Sequence, residues 1–273
     1  MQKTYFGTMT KLEDTYEAVM HAFQAGYQKF DFAEVYHNQS EIGRAITDWF
    51  KQNPNLKRES YFFQSKVWVE DIDKHDVDQA IEKILQDLKL EYIDSLLVHR
   101  PSFNLENSLE AYKKLLEWKE KGIVKHVGVS NFEKEQILYL WASTTVKPEF
   151  HQFELNIHNQ RWDRILFAQK YNIEIQAYGS FKGAYDSEEI SQIAKNHKAT
   201  NNQVILAWLN HYKINRVLKS TNFAHMQENI KPLDFKLTEE ELATMKKLNR
   251  YDNYYTESVP SPLVKTFYEK IKR

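Results

Sequence analysis

Runs of strand length, rich in β-branched and aromatic residues, recur along the chain at 27–32, 61–67, 93–98, 124–129, 149–155, 173–178 and 214–218. Between them the apolar residues fall at helical spacing on one face. Tyr16, Val19, Met20 and Phe23 mark a helix over 13–25; Ile42, Ala45, Ile46 and Trp49 mark one that Asn38 or Ser40 can cap; Val77, Ile81, Ile84, Leu85 and Leu88 mark 75–90; Leu109, Tyr112, Leu115, Leu116 and Trp118 mark 105–121. Helical patterns also fill 134–141, 161–170, 187–197 and 201–212, and Thr238 followed by Glu241 forms a capping box that opens a last helix over 238–248. Strands that alternate with one-sided helices build a parallel sheet, because each helix carries the chain back before the next strand can start. An open dinucleotide-binding sheet of this kind needs G-x-G-x-x-G at its first strand-helix turn, and among only seven glycines no such string occurs. The reading is therefore α/β: a (β/α)8 TIM barrel, one domain over residues 1–273, with the short apolar piece 4–8 as the eighth strand.

Composition narrows the partners. Lys plus Arg number 37 against 38 Asp plus Glu, a formal charge of -1, so no polyanion such as nucleic acid is expected. No cysteine is present, which excludes disulfides, thiolate metal sites and cysteine nucleophiles and fits a reducing, cytoplasmic setting. The first ten residues lack the apolar core of a signal peptide, and no run approaches the roughly 18 apolar residues of a membrane span. The histidines show no H-E-x-x-H spacing, so no metal is expected.

A barrel enzyme places its chemistry at the C-terminal ends of the strands. Asp31, Lys66, His99, Ser130, Gln152, Tyr178 and Lys219 fall at such ends, and Tyr36 lies on the loop after Asp31. Taken singly, Tyr36 reads as a loop tyrosine, Lys66 as a solvated charge and His99 as a core histidine. Taken in order, with their flanking residues, they form a pattern. The stretch F-D-F-A-E-V-Y-H-N-Q-S-E-I-G resembles the aldo-keto reductase signature D-x-A-x-x-Y-x-N-E-x-x-(V/I)-G, with Gln39 where Glu is usual; Q-S-K-V-W and L-L-V-H-R-P resemble that family's lysine and histidine segments. The resemblance implies a catalytic tetrad of Asp31, Tyr36, Lys66 and His99. The types suit carbonyl reduction: a phenol with a pKa near 10 can give up its proton near neutral pH only beside an ammonium, Asp31 would hold that ammonium, and His99 would hydrogen-bond the carbonyl oxygen.

The same resemblance implies a nicotinamide site. V-G-V-S-N-F and H-Q-F-E give Ser130, Asn131 and Gln152 as contacts of the nicotinamide carboxamide, although His151 replaces the usual Asn. A-Y-G-S-F gives Tyr178 as the ring that stacks on the nicotinamide, with Gly179 and Phe181 beside it. L-K-S-T-N-F-A-H-M-Q-E-N gives Lys219, Ser220, Thr221, Asn222, His225, Glu228 and Asn229 as the adenosine-phosphate segment, with His225 where Arg usually grips the 2'-phosphate. Thr8 and Met9 stand in the family's G-T-W segment, Met9 in the place of its Trp. NADPH is the implied cofactor, with NADH as a second possibility, and a small carbonyl compound the substrate. Met9, Trp68 and Arg100 are expected to line the substrate pocket, and Arg100, where Trp is frequent, suggests a polar or anionic substrate. A monomer or weak homo-oligomer is expected. The rival reading is a noncatalytic NADP(H)-binding sensor of the same fold.

Overall fold

The computed structural model describes residues 3–254. Eight parallel strands, β1 (Thr4–Gly7), β2 (Lys29–Asp31), β3 (Phe62–Val67), β4 (Ile93–Val98), β5 (Val124–Ser130), β6 (Phe150–Glu154), β7 (Glu174–Tyr178) and β8 (Asn215–Leu218), follow one another in chain order around a closed barrel. The weak piece at the N-terminus is the closing strand: Phe6 is in register with Phe30 of β2 and with Leu218 of β8. Four residues suffice there because both edges of β1 are paired, so its backbone is satisfied from two sides.

Eleven helices are described: α1 (Leu12–Ala25), α2 (Gln39–Gln52), α3 (Val69–Asp73), α4 (Val77–Leu88), α5 (Leu105–Glu120), α6 (Lys134–Thr144), α7 (Trp162–Lys170), α8 (Glu188–Asn196), α9 (Asn201–His211), α10 (Phe223–Ile230) and α11 (Glu239–Lys247). The sequence patterns miss α3 and α10, both too short to show a periodicity. Asn222 caps α10 by accepting the His225 N–H at 3.1 Å. The expected box on α11 is present, Thr238 and Glu241 exchanging bonds. The expected cap on α2 is not: Asn38 occupies the N-cap position without a capping bond, and its amide instead donates to the Thr8 carbonyl at 2.8 Å, tying the loop after β2 to the loop after β1.

The pleat of β3 sorts its side chains by face. Phe63 and Ser65 turn outward, Phe63 into an aromatic cluster with Phe23 of α1 and Phe30 of β2, Ser65 to the Gln39 side chain of α2 at 2.6 Å. Gln64 and Lys66 turn into the barrel, both fully buried. Gly43 lets α2 seat on α4: a Cβ there would stand 2.1 Å from the Asp87 carbonyl oxygen.

Candidate active site

Asp31 is the last residue of β2, and Lys66 is the next-to-last of β3, so the register that pairs Asp31 with Gln64 sets their side chains side by side inside the barrel mouth. The Lys66 ammonium donates to Asp31 Oδ2 at 2.6 Å and to the Phe32 carbonyl at 2.8 Å, with both side chains buried. Burial pulls the Lys66 ammonium below its ordinary range, and the Asp31 carboxylate opposes that pull. Tyr36, on a single 3-10 turn over Glu34–Tyr36, brings its ring centroid to 5.5 Å from Lys66 Nζ.

His99 follows β4 directly and donates its backbone N–H to Val67 at 3.0 Å. Its ring lies edge-on to Tyr36 at 6.1 Å and to Trp68 at 4.8 Å. Burial first, then the charges of Lys66 and Arg100, holds the imidazole well below its usual range, so it is neutral at pH 7 with one N–H to offer.

Asp31 has partners that sequence reasoning missed. Its Oδ1 accepts from Gln64 Nε2 at 2.7 Å and from Gln152 Nε2 at 2.9 Å. Gln64 and Gln176 exchange reciprocal amide bonds of 2.8 and 3.0 Å across the barrel, and Gln152 also donates to Gln176 at 2.9 Å. A carboxylate only accepts, so it turns the amide nitrogens of Gln64 and Gln152 toward itself and leaves the Gln152 carbonyl oxygen for a ligand. Gln64 and Gln176 carry no signal in a single sequence: a glutamine two residues before a strand-end residue is ordinary until a closed barrel sets β3 opposite β7.

A pocket of about 570 Å³ opens above this floor, and Thr8, Met9, Asp31, Tyr36, His99, Gln152, Tyr178, Gly179, Phe181 and Lys219 line it. Ser180 and Lys182 also line it and were not expected. Lys66 lies just beneath, joined through Asp31. Asn131, in left-handed backbone at φ 62, donates to the His99 carbonyl at 2.9 Å and accepts from the Tyr178 hydroxyl at 2.8 Å, with Ser130 Oγ at 3.1 Å. Also absent from this lining, among the expected site residues, are Trp68, Arg100 and, at and just past the end of β5, Ser130 and Asn131. Trp68 packs on His99 and lines a neighbouring cleft, and Arg100 follows His99 without being among the residues that line either. Of the 219–229 segment only Lys219 reaches the pocket. Ser220 and Asn222 form the turn into α10, Thr221 and His225 are exposed, Glu228 accepts from Thr200 at 3.1 Å, and Asn229 is buried.

A closed parallel barrel with a buried lysine-carboxylate pair, a tyrosine and a histidine gathered at its C-terminal mouth has polar groups where barrel enzymes place their chemistry. The comparisons give its family. The Aldo/keto reductase family profile matches residues 3–250. Aldo-keto reductase family 1 member A1 of Gallus gallus is 32% identical over 269 residues, covering 87% of this chain and 82% of that protein. Among solved structures, an aldo-keto reductase from a Medee basin deep-sea metagenome library aligns with a TM-score of 0.86 and 31% identity over 94% of each chain. A Bombyx mori aldo-keto reductase in complex with NADP aligns at 0.85 and 26%, over 94% of this chain and 91% of that one. This chain belongs to the aldo/keto reductase family, oxidoreductases that act on aldehydes and ketones with NADP(H). Among the described residues no helix is long and apolar enough to cross a membrane.

Proposed function

We propose that this protein reduces a small aldehyde or ketone to the alcohol with NADPH, and that Tyr36 supplies the proton. The observation that carries the reading is the buried Lys66–Asp31 pair, 2.6 Å apart, directly beneath the Tyr36 ring.

The pocket residues fit a nicotinamide dinucleotide. Ser180 Oγ is buried in the pocket wall without a hydrogen-bond partner among the described residues, the Gln152 carbonyl oxygen is left over from the amide chain, and Lys219 stands at the mouth as a cation for a phosphate. Ser130, Asn131 and Gln152 would hold the carboxamide, Tyr178 would flank the ring, and Lys219 with the turn into α10 would hold the adenosine phosphate. When bound, reduced nicotinamide supplies the hydride.

The chain's own residues then supply everything that happens at oxygen. His99, neutral, donates its N–H to the carbonyl oxygen and orients it toward the Tyr36 hydroxyl. Tyr36 gives its proton to that oxygen as negative charge develops. The Lys66 ammonium stabilises the phenolate left behind, and in a site closed to water that attraction is much stronger than in bulk. Asp31 opposes the loss of charge that burial would impose on Lys66, and the two glutamine amides on Oδ1 fix its carboxylate in place. The complete set favours turnover over the noncatalytic sensor, since a sensor has no use for a proton donor matched to a buried ammonium. We place the protein in the cytoplasm as a monomer or weak homo-oligomer, the setting its cysteine-free composition fits.

NADPH consumption with a panel of aldehydes and ketones tests the reading; no turnover with any of them refutes it. Tyr36→Phe should keep NADPH binding and lose at least about 10²- to 10⁴-fold in kcat, the range of general acid catalysis. A near-normal kcat would reject Tyr36 as donor.

A further inference from the structure

Gln176 stands behind the pocket and not in it: it is fully buried and is absent from the lining, whereas Gln152 is part of it. The two lie side by side in register on β7 and β6. An amide nitrogen has two hydrogens to give, and Gln152 Nε2 gives both inward, to Asp31 Oδ1 at 2.9 Å and to Gln176 Oε1 at 2.9 Å. Gln64 Nε2 does the same from β3, on the opposite side of the ring of strands, at 2.7 Å to Asp31 Oδ1 and 2.8 Å to Gln176 Oε1. The four groups close a square in which two oxygens accept from two nitrogens. Gln176 is itself held the right way round, because its Nε2 donates back to Gln64 Oε1 at 3.0 Å; turned over, its NH2 would face those of Gln64 and Gln152. The two acceptors act differently on Gln152. Asp31, which can only accept, decides that the nitrogen points inward. One bond still leaves the amide plane free to swing, and the second, to Gln176, fixes it. No described residue donates to the Gln152 carbonyl oxygen, which is left to the pocket.

We propose that Gln176 is a positioning residue for the cofactor, aiming the Gln152 carbonyl oxygen at the amino group of the nicotinamide carboxamide. This rests on the NADPH-dependent reductase reading and adds to it a residue that touches neither cofactor nor substrate. The group recognised is a primary carboxamide: an acyl group without N–H leaves the aimed oxygen desolvated and unpaired.

NADP+ and its 3-acetylpyridine analogue, in which a methyl group replaces the carboxamide NH2, are titrated at pH 6 into the wild type, Gln176→Met and Gln176→Glu, with tryptophan fluorescence as the readout. The wild type should bind NADP+ about tenfold more tightly than the analogue, the order of one buried hydrogen bond. Methionine fills the volume of glutamine without its acceptor, so the ratio should fall to about one to two in Gln176→Met. A protonated glutamic acid offers its carbonyl oxygen to the same two amides and its O–H to Gln64 Oε1, so Gln176→Glu should restore the ratio to within about threefold of wild type. Burial and the Asp31 carboxylate keep that acid protonated at pH 6. Damage to the fold or to the pocket as a whole weakens both dinucleotides alike and does not move the ratio. Should Gln176→Met not fold, Gln176→Asn, whose amide is one methylene too short for both partners, takes its place in the same comparison. The inference is overturned if the wild type binds the two dinucleotides equally, if the ratio survives in Gln176→Met, or if Gln176→Glu leaves it as low as Gln176→Met does. A wild type that binds NADP+ and reduces aldehydes, with a ratio indifferent to Gln176, overturns the inference alone; a wild type that binds neither dinucleotide overturns the cofactor reading with it.

Discussion

Glu34 sits two residues before Tyr36, on the turn that carries it, and its carboxyl is pushed up to about 7. Burial is the first cause and the Asp71 carboxylate of α3 the second, while the Trp68 amide and the Lys83 ammonium oppose them. Glu70, Asp87 and His37 line the same cleft, and Lys83 is engaged with Asp87 at 2.6 Å. A carboxyl whose pKa is higher in the folded than in the unfolded chain favours folding while it is protonated. Its contribution is complete below about 4.5 and is lost as pH rises through about 7, because over that window the folded state binds more protons. Moving a carboxyl from 4.5 to about 7 corresponds to about 3 kcal/mol at most, and solvent at the cleft reduces this to about 1 to 2 kcal/mol. Glu34→Gln keeps the shape and a donor toward Asp71 but cannot ionise. Urea unfolding of both proteins at pH 5 and pH 8 should therefore show the variant gaining about 1 to 2 kcal/mol on the wild type between the two. A stability difference that is the same at both pH values would show that Glu34 is ordinarily solvated and that no proton holds the Tyr36 turn against α3.

Three other perturbations act elsewhere. Gly43→Ala places a methyl 2.1 Å from the Asp87 carbonyl oxygen, where the backbone of α4 must move, so urea unfolding should show a loss of about 3 kcal/mol. Glu133→Gln removes the carboxylate that Arg161 and Arg164 share, both about 1% exposed, and should cost about 3 to 5 kcal/mol, read as a lowered Tm. Lys219→Ala should weaken NADPH binding much more than NADH binding in fluorescence titrations, since only NADPH carries the 2'-phosphate; an equal loss would give Lys219 another role.

The sequence by itself determined the barrel and the types at its mouth. Strand and helix periodicities are local, and so were legible in all but the short α3 and α10, with β1 found as the weak apolar piece needed to close the barrel. Asp31, Tyr36, Lys66 and His99 were legible for a related reason: each is embedded in its own flanking residues, and each sits at or near a strand end that local pattern can locate. Gly43 was legible as a motif position but not in its cause, which is the seating of α2 on the backbone of α4. What only the tertiary structure decided is which distant side chains touch. Asp31 meets Gln64 and Gln152, 33 and 121 residues away in the chain, because barrel closure turns both amides inward at the same level as the carboxylate. The structure also moved Trp68 from the pocket lining to a neighbouring cleft, buried Asn229 away from the pocket, and left Arg100 without a hydrogen bond or ion pair among the described residues. These outcomes depend on the register between strands and on which polar groups remain to be satisfied once the barrel has closed, and neither quantity is carried by any single stretch of the chain.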